Sequence, residues 1–94
     1  MEQEVIKMIL IDRGYSEKNA ILVSKELQNL AEPLMPLLER WLADVDDKGD
    51  YEIAGYSICQ LQKERRMKYP AALLTIDWLI KEPDAALESL RKTR

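Results

Sequence analysis

The chain of 94 residues contains no histidine and only one cysteine, Cys59. The missing histidine excludes Ser–His and Cys–His catalytic pairs, and every metal site that needs an imidazole ligand. A single cysteine cannot form an internal disulfide, which favours a reducing compartment. We therefore expect a cytoplasmic protein that is not an enzyme and that carries no cofactor.

Long apolar runs and a basic leader are missing as well. No stretch reaches the ~18–20 apolar residues that span a bilayer, and the start, MEQEVIKMILIDR, is acidic before its apolar core, unlike a secretory signal. The net charge of −3 argues against a general binder of phosphate backbones. We expect neither a membrane nor a nucleic acid as partner.

The residues that are present suit one small core. Apolar residues make up 47% of the chain and charged residues 33%, so a core and a solvated surface can both form. No segment alternates apolar and polar residues with the period of a strand. The chain therefore predicts a single all-α domain over residues 1–94, a compact bundle of five to six short helices. A domain of this size buries only ~60–65% of its unfolded surface, so a homodimer would add stability.

Helical spacing and start signals place the first three helices. The first is expected over residues 2–13, before Gly14, and the second begins after the N-cap Ser16 and stops near Leu30. A third starts between Pro33 and Pro36, because proline cannot lie inside a helix. Its expected core stripe has six members: Leu34, Leu37, Leu38, Trp41, Leu42 and Val45.

The later helices have clear start signals too. Ser57 is an N-cap for a fourth helix, with Gln60 three residues on as its capping-box partner. A fifth opens at Pro70, and its sequence PAALLTIDWLIKE is apolar nearly all round, so it should be the most buried element. A short last helix begins at Pro83. Trp41 and Trp78 are both expected in the core.

The two halves of the chain echo one another. GYS occurs at 14–16 and at 55–57, and each copy is followed by a proline and, eight residues later, by Trp-Leu. Either the two copies share only the chemistry of helix starts, or the protein consists of two similar helix pairs. In the second case each pair presents a tryptophan to a common core.

An acidic stretch, DVDDKGDYEIAG at 44–55, resembles a calcium-binding loop. An EF-hand loop needs oxygen ligands at positions 1, 3 and 5, glycine at 6 and a bidentate glutamate at 12. Counted from Asp44, position 5 is Lys48 and position 12 is Gly55. Two ligands are missing, so we expect no specific calcium site but a polar connection in which Gly49 makes a turn.

A basic cluster, QKERRMK at 62–68, either solvates a helix end, where cations complement the helix dipole, or meets phosphate or an acidic partner. Tyrosines beside arginines near loops are typical of protein interfaces. Together they predict an interaction surface, here called the basic–tyrosine surface. Its members are Tyr51, Tyr56, Lys63, Arg65, Arg66, Lys68 and Tyr69.

The fourth and fifth helices, joined by MKY, also outline a helix-turn-helix. This gives the alternative of a DNA-associated regulator using residues 57–81, with the basic residues on phosphates. A recognition helix needs arginine, asparagine, glutamine or lysine to reach base edges, and PAALLTIDWLI carries none of these. The sequence therefore favours a non-enzymatic protein–protein interaction module that binds another protein or itself.

Asp77 and Cys59 are two further residues whose surroundings can be predicted from their positions on helices. Asp77 lies on an otherwise apolar helix, and a buried carboxylate must be paired. Lys81, one turn later, is the favoured partner, and an arginine from 65–66 is the alternative. Cys59 lies in the first turn of a helix, where a thiol can become reactive, but we expect it to be a small buried residue.

The N-terminal half, over roughly residues 5–45, resembles a ubiquitin-associated (UBA) domain. Such domains are three short helices with a Gly-Phe/Tyr loop after the first and a Trp-Leu pair in the third. DRGYSEKNA is similar to that loop and LLERWLAD to that third helix. The resemblance implies a UBA-like three-helix half in a compact helical interaction module.

Overall fold

A computed structural model describes residues 2–92, so the ends of the predicted domain, Met1 and Arg94, lie outside it. Within these residues six α-helices follow one another, and a 3-10 turn, Glu32–Leu34, leads into the third. The helices are α1 (Gln3–Asp12), α2 (Glu17–Leu27), α3 (Met35–Leu42), α4 (Ile58–Arg65), α5 (Tyr69–Lys81) and α6 (Pro83–Lys92). The all-α prediction is confirmed, with 69% of the structure helical.

The expectation that no segment forms a strand is wrong for residues 52–57. Strands β1 (Glu52–Ile53) and β2 (Tyr56–Ser57) pair antiparallel, with Ile53 opposite Tyr56. Between them Ala54 and Gly55 both have positive φ, 55° and 85°, which is the conformation of a tight two-residue hairpin turn. Strands of two residues are too short to show an alternating pattern, which is why the sequence did not reveal them.

The predicted N-caps are confirmed. The backbone N–H of Asn19 donates to Ser16 Oγ at 3.2 Å, and that of Gln60 donates to Ser57 Oγ at 3.1 Å. Each bond satisfies one of the amide donors that a helix start leaves unpaired. The predicted end of the second helix was late, because α2 ends at Leu27 rather than near Leu30.

Helix α5 is the centre of the core, as its composition predicted. It packs against α2, α3, α4, α6 and β1. Seven of its residues are buried: Tyr69, Pro70, Ala72, Leu73, Ile76, Asp77 and Leu79. None of the helices in residues 2–92 is long and apolar enough to cross a membrane.

Asp77 is buried in this helix and paired, as expected. Lys81 Nζ lies 3.1 Å from Asp77 Oδ2, and the backbone N–H of Ala31 donates to Asp77 Oδ1 at 2.7 Å. Lys81 also donates to the carbonyl of Asn29. One carboxylate therefore fixes the chain after α2 against the middle of the central helix.

Two residues expected in the core are outside it. Trp78 is 37% exposed, because it follows Ile76 by two positions and so lies on the other side of α5. Val45 is 43% exposed, since α3 ends at Leu42 and Asp44, with φ of 60°, turns the chain away. Trp41 is half-buried against the core. The two tryptophans therefore do not share a common core.

Candidate interaction surfaces

The seven residues of the basic–tyrosine surface do not form one surface. Lys68 and Tyr69 line a cleft beside the acidic connection, whereas Tyr56 and Arg65 line a separate groove at the end of α6. Tyr51 is half-buried against the core, and Lys63 and Arg66 are exposed. The sequence placed these residues together because they are close in the chain, but the turn at 66–68 sends them in different directions.

Tyr69 is buried rather than available at a surface, with 7% exposure. Its ring stacks on Trp41, with the ring centroids 6.2 Å apart and the planes within 7°. Its hydroxyl has no hydrogen-bond partner among residues 2–92. Burial, and next the nearby charge of Asp50, raise the pKa of Tyr69 to about 12, against a smaller lowering effect of Arg40.

A cavity of about 710 Å³ lies beside residues 46–50, and we call it the loop cleft. Its lining includes the cationic side chains of Arg13, Lys48 and Lys68. Arg13 donates from Nη1 to the Trp41 carbonyl at 2.7 Å and from Nη2 to the Leu42 carbonyl at 3.1 Å. Its guanidinium carbon also lies 4.4 Å from the centre of the Trp41 ring, and Lys68 Nζ lies 4.6 Å from that of Tyr15. Burial raises the pKa of Tyr15.

Two acids of the loop cleft, Asp47 and Asp50, accept hydrogen bonds from backbone amides. Asp50 Oδ1 accepts from the N–H groups of Tyr51 at 2.8 Å, Ile58 at 2.9 Å and Cys59 at 3.3 Å. This carboxylate therefore joins the acidic connection to the start of α4, where the helix dipole favours an anion.

Gly49 makes the turn that the sequence predicted. Its N–H donates to Asp47 Oδ1 at 3.1 Å, and its φ is +83°. A Cβ atom at this position would lie 3.0 Å from Arg40 Nη1. In the described part of the chain no three His, Cys, Asp or Glu residues are grouped so that they could hold a metal ion.

Cys59 was expected to be buried and is exposed, lining the loop cleft. Helix α4 turns Ile58 and Leu61 into the core. Cys59 follows Ile58 by one position and so falls outside that narrow stripe, which the sequence pattern of α4 was too short to reveal.

Arg65 holds two elements together at the groove near the end of α6. Its Nη2 donates to the Leu90 carbonyl at 2.9 Å, and its guanidinium carbon lies 5.9 Å from the centre of the Tyr56 ring. Arg65 was predicted to bind a partner protein, but its side chain forms a contact between α4 and α6.

An apolar outward face on α1 and α2 was not predicted. Its five residues are between 40% and 63% exposed: Val5, Met8, Ile11, Ile21 and Leu22. The two helices pack against each other, and the Gln3 side chain donates to the Ile21 carbonyl at 3.3 Å, so the start of α1 lies beside α2. The sequence signal was α1 itself, which carries apolar residues on more faces than one core can cover.

The chain matches no known protein family, no curated protein and no solved structure. The helix order expected from the UBA resemblance is present in α1, α2 and α3. The resemblance is therefore limited to the order of three helices.

Proposed function

We propose that this protein is a non-catalytic, cytoplasmic protein–protein interaction module that self-associates into a homodimer through the outward face of α1 and α2. The observation that carries the proposal is the exposure of Met8 (63%) and Leu22 (54%), together with Val5, Ile11 and Ile21. Single exposed apolar side chains are ordinary, but five on two packed helices form the composition expected of an interface core.

Energy and charge both favour a second copy on this face. Burying an exposed methionine or leucine contributes about 1.5–3 kcal/mol, so a few such side chains can offset part of the cost of association. Residues 2–27 carry five acidic and four basic side chains, so like-charge repulsion between two copies is small. A two-fold arrangement would place the same patch on both partners.

The test is the oligomeric state of the full chain as a function of concentration. Sedimentation equilibrium should show the mass rising from the 10.9 kDa monomer towards twice that value. Met8→Glu and Leu22→Glu should each weaken association by about tenfold or more, because each buries a charge. Val45→Glu, at an apolar residue outside this face that is 43% exposed, is the control and should leave association unchanged.

A strict monomer at every concentration would contradict the proposal. Equal weakening by Val45→Glu would also count against it, since that result would point to a general effect of charge. Circular dichroism of each variant separates loss of association from loss of folding.

The alternative of a DNA-associated regulator is less well supported. Helix α5 would be the recognition helix, but its exposed residues are Ala71, Trp78 and Lys81, and Lys81 is paired with Asp77. If DNA were nevertheless bound through the basic residues, the affinity would fall steeply with salt. An apolar protein interface would keep its affinity.

A further inference from the structure

Trp78 lies in a second groove, of about 450 Å³, between the end of α2 and the outer side of α5. We call it the tryptophan groove, and the residues that matter for its chemistry are Glu26, Asn29, Trp78, Lys81 and Glu82. None of them belongs to the outward face proposed for self-association.

The groove carries uncompensated negative charge. Its one cation within the described residues, Lys81, is held by Asp77 and by the Asn29 carbonyl, so those two side-chain charges cancel. Glu26 and Glu82 are exposed and form no ion pair within residues 2–92. What remains for a ligand is two carboxylates beside an aromatic ring.

The Trp78 side chain lines the groove and is 37% exposed. Three other aromatic rings have a cation over them, namely Trp41 with Arg13, Tyr56 with Arg65 and Tyr15 with Lys68. Trp78 has none from the described part of the chain, because Lys81 is drawn away to Asp77. Indole is the side chain that attracts cations most strongly.

We propose that the tryptophan groove binds an arginine side chain of a partner protein. The planar guanidinium stacks on the Trp78 ring, and its N–H groups donate to the carboxylates of Glu26 and Glu82. A protein is the favoured source because the groove is open to solvent. A small molecule would leave the ring partly wet, whereas an arginine brings its own chain to cover it.

The probe is a short capped peptide, acetyl-Gly-Arg-Gly-amide, titrated into the full-length protein while the two indole N–H signals are followed by NMR. Trp78→Phe assigns the signals. The Trp78 signal should shift with a Kd on the order of millimolar, and the Trp41 signal should stay in place. The same peptide with citrulline, which keeps the shape but not the charge, should produce no shift.

A charge-matched pair of variants tests the carboxylates. Glu26→Gln with Glu82→Gln should weaken peptide binding by about tenfold. Glu39→Gln with Glu52→Gln removes the same charge from two exposed sites outside the groove and should leave the affinity unchanged.

The proposal would be overturned if Trp78 showed no shift at millimolar peptide, if the citrulline peptide bound equally well, or if the two pairs of variants weakened binding equally. A shift as large with tetramethylammonium would also overturn it, because the ligand would then be a small organic cation. Repeating the titration on Met8→Glu separates this site from self-association, since peptide binding should persist in a monomer.

Discussion

The hydroxyl of Tyr69 is buried at the start of α5, and no group in the described part of the chain forms a hydrogen bond with it. A buried polar group left unpaired costs about 1–3 kcal/mol, so removing it should be harmless or helpful. We expect Tyr69→Phe to leave the free energy of unfolding at pH 7 unchanged or to raise it by up to about 1 kcal/mol, measured by urea denaturation. A clear loss would show that the hydroxyl has found a partner, such as a trapped water.

The same substitution should also change the alkaline stability of the protein. The pKa of Tyr69 is raised from 10.0 to about 12 in the fold. Between these values the folded protein keeps the phenol proton and the unfolded chain releases it, so stability falls as pH rises. Tyr69→Phe should show a smaller fall between pH 10 and 12, and identical falls would contradict the assignment.

The surroundings of single residues were the least predictable feature from the sequence. Asp77 was identified with its partner because Lys81 is one helical turn away, a local relation. The exposure of Trp78 and Cys59 could not be read in the same way, since it depends on which side of a helix finds a neighbour. That information lies in other elements of the fold.

Among the elements, α4 depends most on one side chain outside itself. Asp50 accepts three backbone N–H groups, two of them in the first turn of α4. Asp50→Ala should therefore lower the free energy of unfolding by about 1–2 kcal/mol, as loss of an N-cap does. Asp47→Ala is the control, because Asp47 accepts only the Gly49 N–H, and it should cost less than about 0.5 kcal/mol.

Chemical denaturation of both variants measures the difference. Equal losses would mean that Asp50 has no special role at the helix start.

The helices themselves were predictable because caps, prolines and apolar spacing are local signals. The hairpin was not, because strands of two residues leave no period to detect.

For the molecule as a whole, the central feature is that α5 covers helices from both halves of the chain. It packs on α2 and α3, and its Asp77 accepts the Ala31 N–H. We therefore expect a fragment of residues 1–45, although it holds all three UBA-like helices, to be largely unfolded alone. Circular dichroism should show far less helix than in the intact chain, and addition of residues 46–94 should restore it.

A cooperative thermal transition in the isolated fragment would contradict this expectation.

The loop cleft illustrates why sites of this kind are difficult to predict from sequence. It joins Arg13, Trp41, Lys48 and Lys68, which come from the end of α1, from α3, from the acidic connection and from the residue before α5. The fold class could be predicted from local sequence patterns, whereas the surfaces depend on packing between residues far apart in the chain.

Gly49 limits which substitutions the acidic connection can tolerate. In a calcium-binding loop the carboxylates are constrained by the ion. Here the constraint falls on the glycine, because its φ of +83° is a conformation that other residues rarely adopt, and on Asp50, which accepts from the first turn of α4. Saturation mutagenesis with a folding reporter should find positions 49 and 50 intolerant and positions 46 and 47 permissive, whereas an EF-hand ion would constrain position 46 and leave the side chain at position 50 free.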